Sequence, residues 1–129
     1  MNSKLKGNLT EAKIFAALLG AGKLVVLPGF NRRWDIGWEE GKTLIKVQCK
    51  TGRLIEGCIR FNLTSRGGSE KHQNYKEDVD FFGVYCPELD ECYLIPINRL
   101  KNYEGYLRVT PQKNKMKSES FLWAKDFKL

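Results

Sequence analysis

The sequence predicts an α+β domain of the α/β/α type, in which a central mixed β-sheet packs against an N-terminal helix. Two observations indicate this fold. One segment near the N-terminus has apolar residues at helical spacing, and a series of short apolar segments separated by turn residues follows it. The 129 residues suit a single domain spanning 1–129. We expect its core to span about 7–96, with a basic C-terminal extension over 97–129.

The predicted elements follow one another along the chain. A helix is predicted over residues 9–19, with Asn8 as its N-cap and glycines at 20 and 22 ending it. Strands are predicted over 24–27, 34–38, 43–50, 58–63, 81–85, 92–95 and 106–109. The polar segment 65–76 predicts a loop or the start of a short helix, and 96–100 predicts one helical turn.

Charge and hydropathy narrow the class of partner. The net charge is +7 and the pI about 9.3, and the acidic stretch 77–92 contains no lysine or arginine, so the positive charge is concentrated elsewhere. Such a field favours a polyanion such as a nucleic acid backbone. No apolar run is long enough to cross a membrane, and the N-terminus lacks a signal-peptide cleavage pattern. We therefore expect an intracellular protein of the cytoplasm and nucleoid, without a membrane partner.

The third predicted strand carries polar residues that point to a cleft. Side chains alternate across a strand, so Gln48 and Lys50 share one face. Sealing these groups inside a core would be unfavourable, so their face should be open. If the preceding hairpin turns at residues 40 and 41, with 39 opposite 42, Asp35 falls opposite Lys46 on that same face. The hairpin would then bring three polar groups together.

Glu11 on the predicted helix has two interpretations, and the pattern alone favours neither. It shares a stripe with Phe15 and Leu18, which should face the sheet, and a carboxylate directed at a core usually has a partner or a metal ion. Alternatively, Asn8 and Glu11 have the spacing of a capping box, in which Glu11 accepts the backbone N–H of Asn8.

These residue types suit metal-dependent hydrolysis of a phosphodiester. Glu11, Asp35 and the amide oxygen of Gln48 are the oxygen ligands that Mg²⁺ or Mn²⁺ takes. Such an ion polarises a phosphoryl oxygen and lowers the pKa of a water molecule. Lys50 can orient the water or stabilise the charge that develops on phosphorus. This chemistry needs no small-molecule cofactor.

The same residues resemble the motif of a known superfamily. Glu11, then Trp34-Asp35, then Gln48-Cys49-Lys50 is similar to the PD-(D/E)XK nuclease pattern, and the Gln-x-Lys variant resembles cyanobacterial intron-encoded homing endonucleases. The resemblance covers about residues 7–96. It implies a restriction-endonuclease-like α-β-β-β-α-β core, metal-dependent cleavage of double-stranded DNA, and assembly into a homodimer or homotetramer.

The resemblance also implies a role for each residue of the motif. Asp35 would be the central metal ligand, Glu11 the helix acid that completes the site, and Lys50 the catalytic lysine. Gln48 stands where the family usually has an acid, so the site has one negative charge fewer and should hold metal more weakly. Trp34 replaces the usual proline.

Further residues are candidates for DNA contact. Arg32 and Arg33 lead directly into Asp35 and would stand at the mouth of the cleft, where their forked guanidinium groups suit phosphate. The fourth predicted strand and the segment after it supply groups that can read base edges: Arg60, Arg66, Lys71, His72 and Tyr75. An ordinary solvated loop would have a similar composition.

Three other functions compete with a site-specific endonuclease of the homing or restriction type. A Holliday-junction resolvase would use the same fold on branched DNA. A DNA-binding module could keep the fold without activity. An RNA-binding protein is disfavoured, because the clustered exposed aromatics that stack single-stranded bases are not evident in the sequence.

Overall fold

A computed structural model describes residues 1–29, 33–63, 78–100, 104–111 and 122–129. Helix α1 spans Ser3–Gly20. The strands among these residues are β1 Leu24–Val26, β2 Ile36–Glu40, β3 Thr43–Thr51, β4 Arg53–Ile55, β5 Cys58–Asn62, β6 Phe81–Cys86, β7 Glu91–Pro96 and β8 Glu104–Arg108. Single turns of 3₁₀ helix occupy Ile97–Arg99 and Ala124–Asp126.

The strands form two sheets. One has five strands in the order β1-β2-β3-β6-β7, and the other has three in the order β4-β5-β8. The β3–β6 pair is parallel and the other pairs are antiparallel, so the larger sheet is mixed. The predicted α+β fold with a central mixed sheet is confirmed. The crossover from β3 to β6 includes residues 64–77, so the predicted loop over 65–76 and the second helix implied by the resemblance lie outside the described residues.

Helix α1 covers one face of the five-stranded sheet. Ile14 and Leu18 are completely buried there, in one cluster with Val47 of β3. Gly83 in β6 permits this close approach, because a Cβ at that position would lie 3.0 Å from a methyl group of Ile14 and 3.1 Å from one of Val47. A larger residue there would push the helix away from the sheet.

The three-stranded sheet packs against the opposite face. Ile59 and Leu107 from the small sheet share a buried cluster with Phe82 and Val84 of β6. The chain passes from one sheet to the other at Gly52, where a Cβ would lie 2.6 Å from Ile59 and 3.0 Å from Val84. The described residues therefore form three layers: helix, five-stranded sheet and three-stranded sheet.

The end of the chain adds to the larger sheet. The backbone N–H of Leu94 donates to the carbonyl of Phe127 at 2.8 Å, and the N–H of Leu129 donates to the carbonyl of Cys92 at 3.0 Å. These bonds occupy part of the outer edge of β7, which would otherwise expose unpaired backbone groups. Among the described residues, no helix has the length and apolar character that a membrane span requires.

Two predicted details of the helix and the hairpin are wrong. The helix begins at Ser3, where the side chain of Asn2 accepts the N–H of Leu5 at 2.9 Å, so Asn8 is not its cap. In the β2–β3 hairpin, Glu40 pairs with Thr43 and the loop is formed by residues 41 and 42. The physical reason is the positive φ of 63° at Gly41, which suits the first loop position of a type II′ turn.

Candidate active site

Gln48 and Lys50 lie on the face of β3 that is turned away from α1. In the parallel β3–β6 ladder, Gln48 pairs with Phe82 and Lys50 pairs with Val84. Both partners belong to the cluster between the two sheets, so Gln48 and Lys50 point to that side. Both side chains are half-buried. The predicted shared face of this pair is confirmed.

Asp35 stands one residue before β2 and is held to the middle of β3. Its N–H donates to the carbonyl of Val47 at 2.9 Å, and its Oδ2 accepts the N–H of Cys49 at 2.8 Å. The carboxylate thus takes the place of a main-chain acceptor for β3 at the point where the ladder with β2 stops. Because the residue after it is the first of β2, Asp35 has little freedom to move.

The register that was predicted for Asp35 is wrong by two residues. Gly37, not Asp35, is paired with Lys46, because the turn lies one residue later than predicted. Side chains on a strand alternate with a period of two, so a two-residue shift keeps the face unchanged. Continuing the ladder by one residue places Asp35 beside Gln48.

Glu11 lies in the interior of α1, which excludes the capping-box interpretation. The buried stripe of the helix consists of Thr10, Ile14 and Leu18, so Glu11 stands at its margin and is half-buried. The predicted stripe is therefore correct at Leu18 and displaced by one residue at Glu11 and Phe15. The Thr10 hydroxyl forms a 2.5 Å hydrogen bond with the hydroxyl of Thr51, the last residue of β3. This bond fixes the helix next to the strand that carries Lys50.

The charges of three predicted residues act on one another. Burial raises the pKa of the Glu11 carboxyl above its usual value, and the negative charge of Asp35 raises it further. Burial likewise raises the pKa of Asp35, while the Cys49 N–H and the positive charge of Lys50 act in the opposite direction. The structure therefore brings Glu11, Asp35 and Lys50 within electrostatic reach. Gln48 is placed next to them by its register on β3.

Cys49 is a neighbour of these groups that the sequence pattern did not assign to the site. Burial raises the pKa of its thiol well above the usual value, and the charges of Asp35 and Glu11 raise it further. The thiol is therefore protonated at neutral pH, which makes it a poor nucleophile and a poor metal ligand. Cys49 contributes to the site through its backbone N–H, which donates a hydrogen bond to the carboxylate of Asp35.

Other residues shape the site without supplying charge. A Cβ on Gly37 would lie 2.7 Å from the carbonyl oxygen of Ile45 and 3.0 Å from the ring of Trp34. Trp34 packs on the apolar cluster between the sheets, directly before Asp35 in the chain. A glycine inside a strand can indicate that another group packs closely against the backbone there, so Gly37 was a possible signal in the sequence. The sequence does not reveal that the groups packed against it are the Ile45 carbonyl and the Trp34 ring.

The donor atoms at this site fit a hard divalent cation. Two half-buried carboxylates with raised pKa values repel each other, and a cation between them would relieve both the repulsion and the burial. Among the described residues, no three His, Cys, Asp or Glu side chains come together as a metal-binding group. An ion here would thus depend on Glu11, Asp35, the neutral amide of Gln48 and water, and Mg²⁺ commonly retains several waters.

The predicted DNA-contacting residues are described only in part. Arg33 is close to Asp35 in the chain, and its Nε lies 3.1 Å from a carboxylate oxygen of Asp78. Arg60 stacks on the ring of Tyr106 in the three-stranded sheet. The other predicted contacts lie outside the described residues: Arg32, Arg66, Lys71, His72 and Tyr75.

Comparisons with known proteins identify a family and a similar fold. A family model described as PD-(D/E)XK endonuclease matches residues 1–129. The fold is similar to that of a bacterial homing endonuclease, I-Ssp6803I, with a TM-score of 0.76 and 21% sequence identity over 99% of this chain and 89% of that chain. No curated protein matches the chain in sequence.

Proposed function

This chain belongs to the PD-(D/E)XK endonuclease family, and we propose that it hydrolyses phosphodiester bonds in duplex DNA with the help of a divalent metal ion. The observation that carries the proposal is the placement of Asp35, held by the Cys49 N–H at 2.8 Å, beside the face of β3 that carries Gln48 and Lys50. Glu11 of α1 lies within electrostatic reach of Asp35. A pair of carboxylates with an adjacent cation is suited to metal-assisted attack of water on a phosphodiester.

Glu11, Asp35 and the amide oxygen of Gln48 would hold the ion, which we take to be Mg²⁺ or Mn²⁺. When bound, such an ion supplies Lewis-acid chemistry to a phosphoryl oxygen and to water. Asp35 enters the reaction with its orientation already set, because the Cys49 N–H holds one of its oxygens at 2.8 Å. A ligand that is fixed before the ion arrives loses little conformational entropy on binding.

Lys50 would position the attacking water and stabilise the negative charge that develops on the phosphate oxygens. Its half-buried side chain lies on the face of β3 shared with Gln48, and its charge acts on Asp35. An ammonium group in a partly dry site stabilises a developing anion more strongly than it would in water. Lys50 is therefore the residue whose loss should affect turnover more than binding of DNA.

The substrate would be duplex DNA, cut at specific sites by an intracellular oligomer. The likeness to a homing endonuclease and the net charge of +7 support a DNA substrate. A single cleft of this size acts on one strand, so a double-strand break needs two subunits related by symmetry, as a homodimer or homotetramer provides. Arg33, two residues before Asp35 in the chain, would contact the DNA backbone near the cut, together with Arg32.

Cleavage of supercoiled plasmid during a Mg²⁺ titration tests the proposal. The wild type should nick or linearise the plasmid, and Lys50→Ala should bind DNA but cut at least about a hundredfold more slowly. Lys46→Ala is the matched control, because it removes a lysine from the same face of the same strand, four residues before Lys50. Its rate should stay close to that of the wild type.

The same assay distinguishes the competing functions. Faster cleavage of a synthetic four-way junction than of linear duplex would favour a junction resolvase. Tight DNA binding by the wild type without nicking at any Mg²⁺ or Mn²⁺ concentration would contradict the nuclease proposal and leave an inactive binding module.

A further inference from the structure

The outer face of the three-stranded sheet carries positive charge that the proposed active site does not use. Along β5, Ile59 and Phe61 are buried toward the core, so Arg60 between them points away from it. The register places Arg53 of β4 and Tyr106 of β8 directly opposite Arg60. We define the arginine face as four of the residues on this side: Arg53, Arg60, Tyr106 and Arg108.

The guanidinium of Arg60 is fixed in place by an aromatic ring. Its central carbon lies 5.0 Å from the ring centroid of Tyr106, a residue that is 45% exposed. The stacking is a cation–π contact that leaves the edge of a guanidinium group available for hydrogen bonds. Among the described residues no salt bridge pairs Arg60 with a carboxylate, and its buried Nε has no hydrogen-bond partner.

The neighbouring arginines make this face unfavourable for folding and favourable for an anion. Arg53 is exposed and stands directly opposite Arg60, an arrangement of like charges that lowers the stability of a strand pair. Arg108 is held by a 2.7 Å hydrogen bond from its Nε to the carbonyl of Thr110 and by a second bond to the thiol of Cys58. The carboxylate of Glu88 lies within electrostatic reach of Arg53 and accepts the N–H of Leu54 at 3.2 Å, so it offsets part of this charge. Three arginines and this one carboxylate still leave a net positive charge, which suits an anionic partner.

We propose that the arginine face binds the phosphate backbone of duplex DNA outside the active site. Arginine forks bind phosphate oxygens in pairs, and contacts to phosphates add affinity without reading sequence. A single strand of nucleic acid fits less well, because Tyr106 is the aromatic side chain of the arginine face and Arg60 lies over its ring. The inference rests on the proposed function for its partner, since both surfaces would contact DNA.

Fluorescence anisotropy with a labelled DNA duplex in EDTA tests the arginine face without any cleavage. Arg53→Gln combined with Arg60→Gln should weaken binding about tenfold at 150 mM salt and reduce the slope of log K against log salt by about two. Arg99→Gln is the matched control, because Arg99 is also exposed and also lies over an aromatic ring, 5.5 Å from that of Phe127. The control should keep the wild-type affinity and slope.

Several outcomes decide the inference separately from the nuclease proposal. Wild-type affinity and salt slope in the double variant would overturn it, and so would an equal loss in Arg99→Gln, which would indicate a general effect of net charge. Binding of duplex RNA but not DNA through the same arginines would overturn it as well. If the double variant has a lowered Tm, the exposed single variant Arg53→Gln decides, with an expected slope change of about one. Because EDTA removes metal, a wild type that never cuts DNA would leave the expected binding results unchanged.

Discussion

Asp35→Asn should leave the metal-free protein about as stable as the wild type while removing its stabilisation by Mg²⁺. The carboxylate accepts the Cys49 N–H at 2.8 Å, and an asparagine oxygen can accept the same bond without a charge, at a loss of about 1 kcal/mol. The substitution also removes the cost of burying the Asp35 charge, which raises the pKa of that carboxyl. It removes as well the repulsion with Glu11, whose pKa is raised by burial and then by the charge of Asp35. Because the effects oppose each other, the free energy of unfolding without metal should change by less than about 1 kcal/mol.

Stabilisation by bound Mg²⁺ should exceed this metal-free difference, and it should be present in the wild type and absent from Asp35→Asn. A ligand that binds the native state stabilises it by about 1.4 kcal/mol at ten times its Kd and about 2.7 kcal/mol at a hundred times. For a domain of this size, each kcal/mol moves Tm by roughly 3–5 °C. Thermal unfolding with and without Mg²⁺ should therefore show a clear rise for the wild type and almost none for Asp35→Asn.

Asp80→Asn is a matched control for the hydrogen bond. Its Oδ2 accepts the N–H of Lys46 at 2.9 Å, so it makes the same kind of bond to the same strand. This variant should retain the full increase in Tm with Mg²⁺. A wild-type increase in Asp35→Asn would refute the assignment of Asp35 as a metal ligand. An equal loss in both variants would mean that the carboxylates act by holding β3, not by binding metal.

Three further variants test other parts of the structure. Gln48→Glu adds a third acid to the site, so calorimetry should show tighter Mg²⁺ binding, and weaker binding would argue against direct ligation. Gly37→Ala would place a Cβ 2.7 Å from the Ile45 carbonyl oxygen and should lower the free energy of unfolding in urea by about 2 kcal/mol, whereas a neutral effect would contradict the close approach. Hydrogen bonds from Lys13 and then from a tyrosine hydroxyl lower the pKa of Asp90, so its stabilisation is present above the usual aspartate pKa and is lost as pH falls through the lowered value. Asp90→Asn should therefore have a urea midpoint that depends less on pH below about pH 4, and an unchanged pH profile would contradict the pairing.

The helix shows where local patterns suffice and where they fail. Apolar spacing predicted the part of α1 that packs on the sheet, because burial of Ile14 and Leu18 produces that spacing. The first two turns bury little, since Leu5 is 53% exposed, so no apolar pattern marked them. Extending a helix that tertiary packing already holds requires little additional free energy per residue, and the Asn2 cap then determines where it begins.

For the strands, too, local patterns predicted some features and missed others. Each predicted strand overlaps an observed one, but β4 was not predicted because Arg53–Ile55 is short and follows a glycine. The turn after β4 was also missed: Glu56 and Gly57 have φ values of 49° and 78°, as a type I′ turn requires, and glutamate seldom occupies its first position. Strand existence follows from residue types, whereas the exact turn depends on which backbone conformations the packed strands impose.

The candidate site depends on an interruption of the sheet, which explains why its residues could be proposed from the sequence although its register was predicted wrongly. Helix α1 lies on one face of the five-stranded sheet, and Gln48 and Lys50 point to the other, so an uninterrupted sheet would keep Glu11 apart from Lys50. They are linked because β2 begins only at Ile36, and Asp35 continues the contact with β3 through its side chain as well as its backbone N–H. Its charge can then act on Glu11, and the charge of Lys50 can act on it. The motif predicts which residues form the site, but only the end of the β2–β3 ladder explains how carboxylates and a lysine from opposite sides of a sheet come within electrostatic reach of one another.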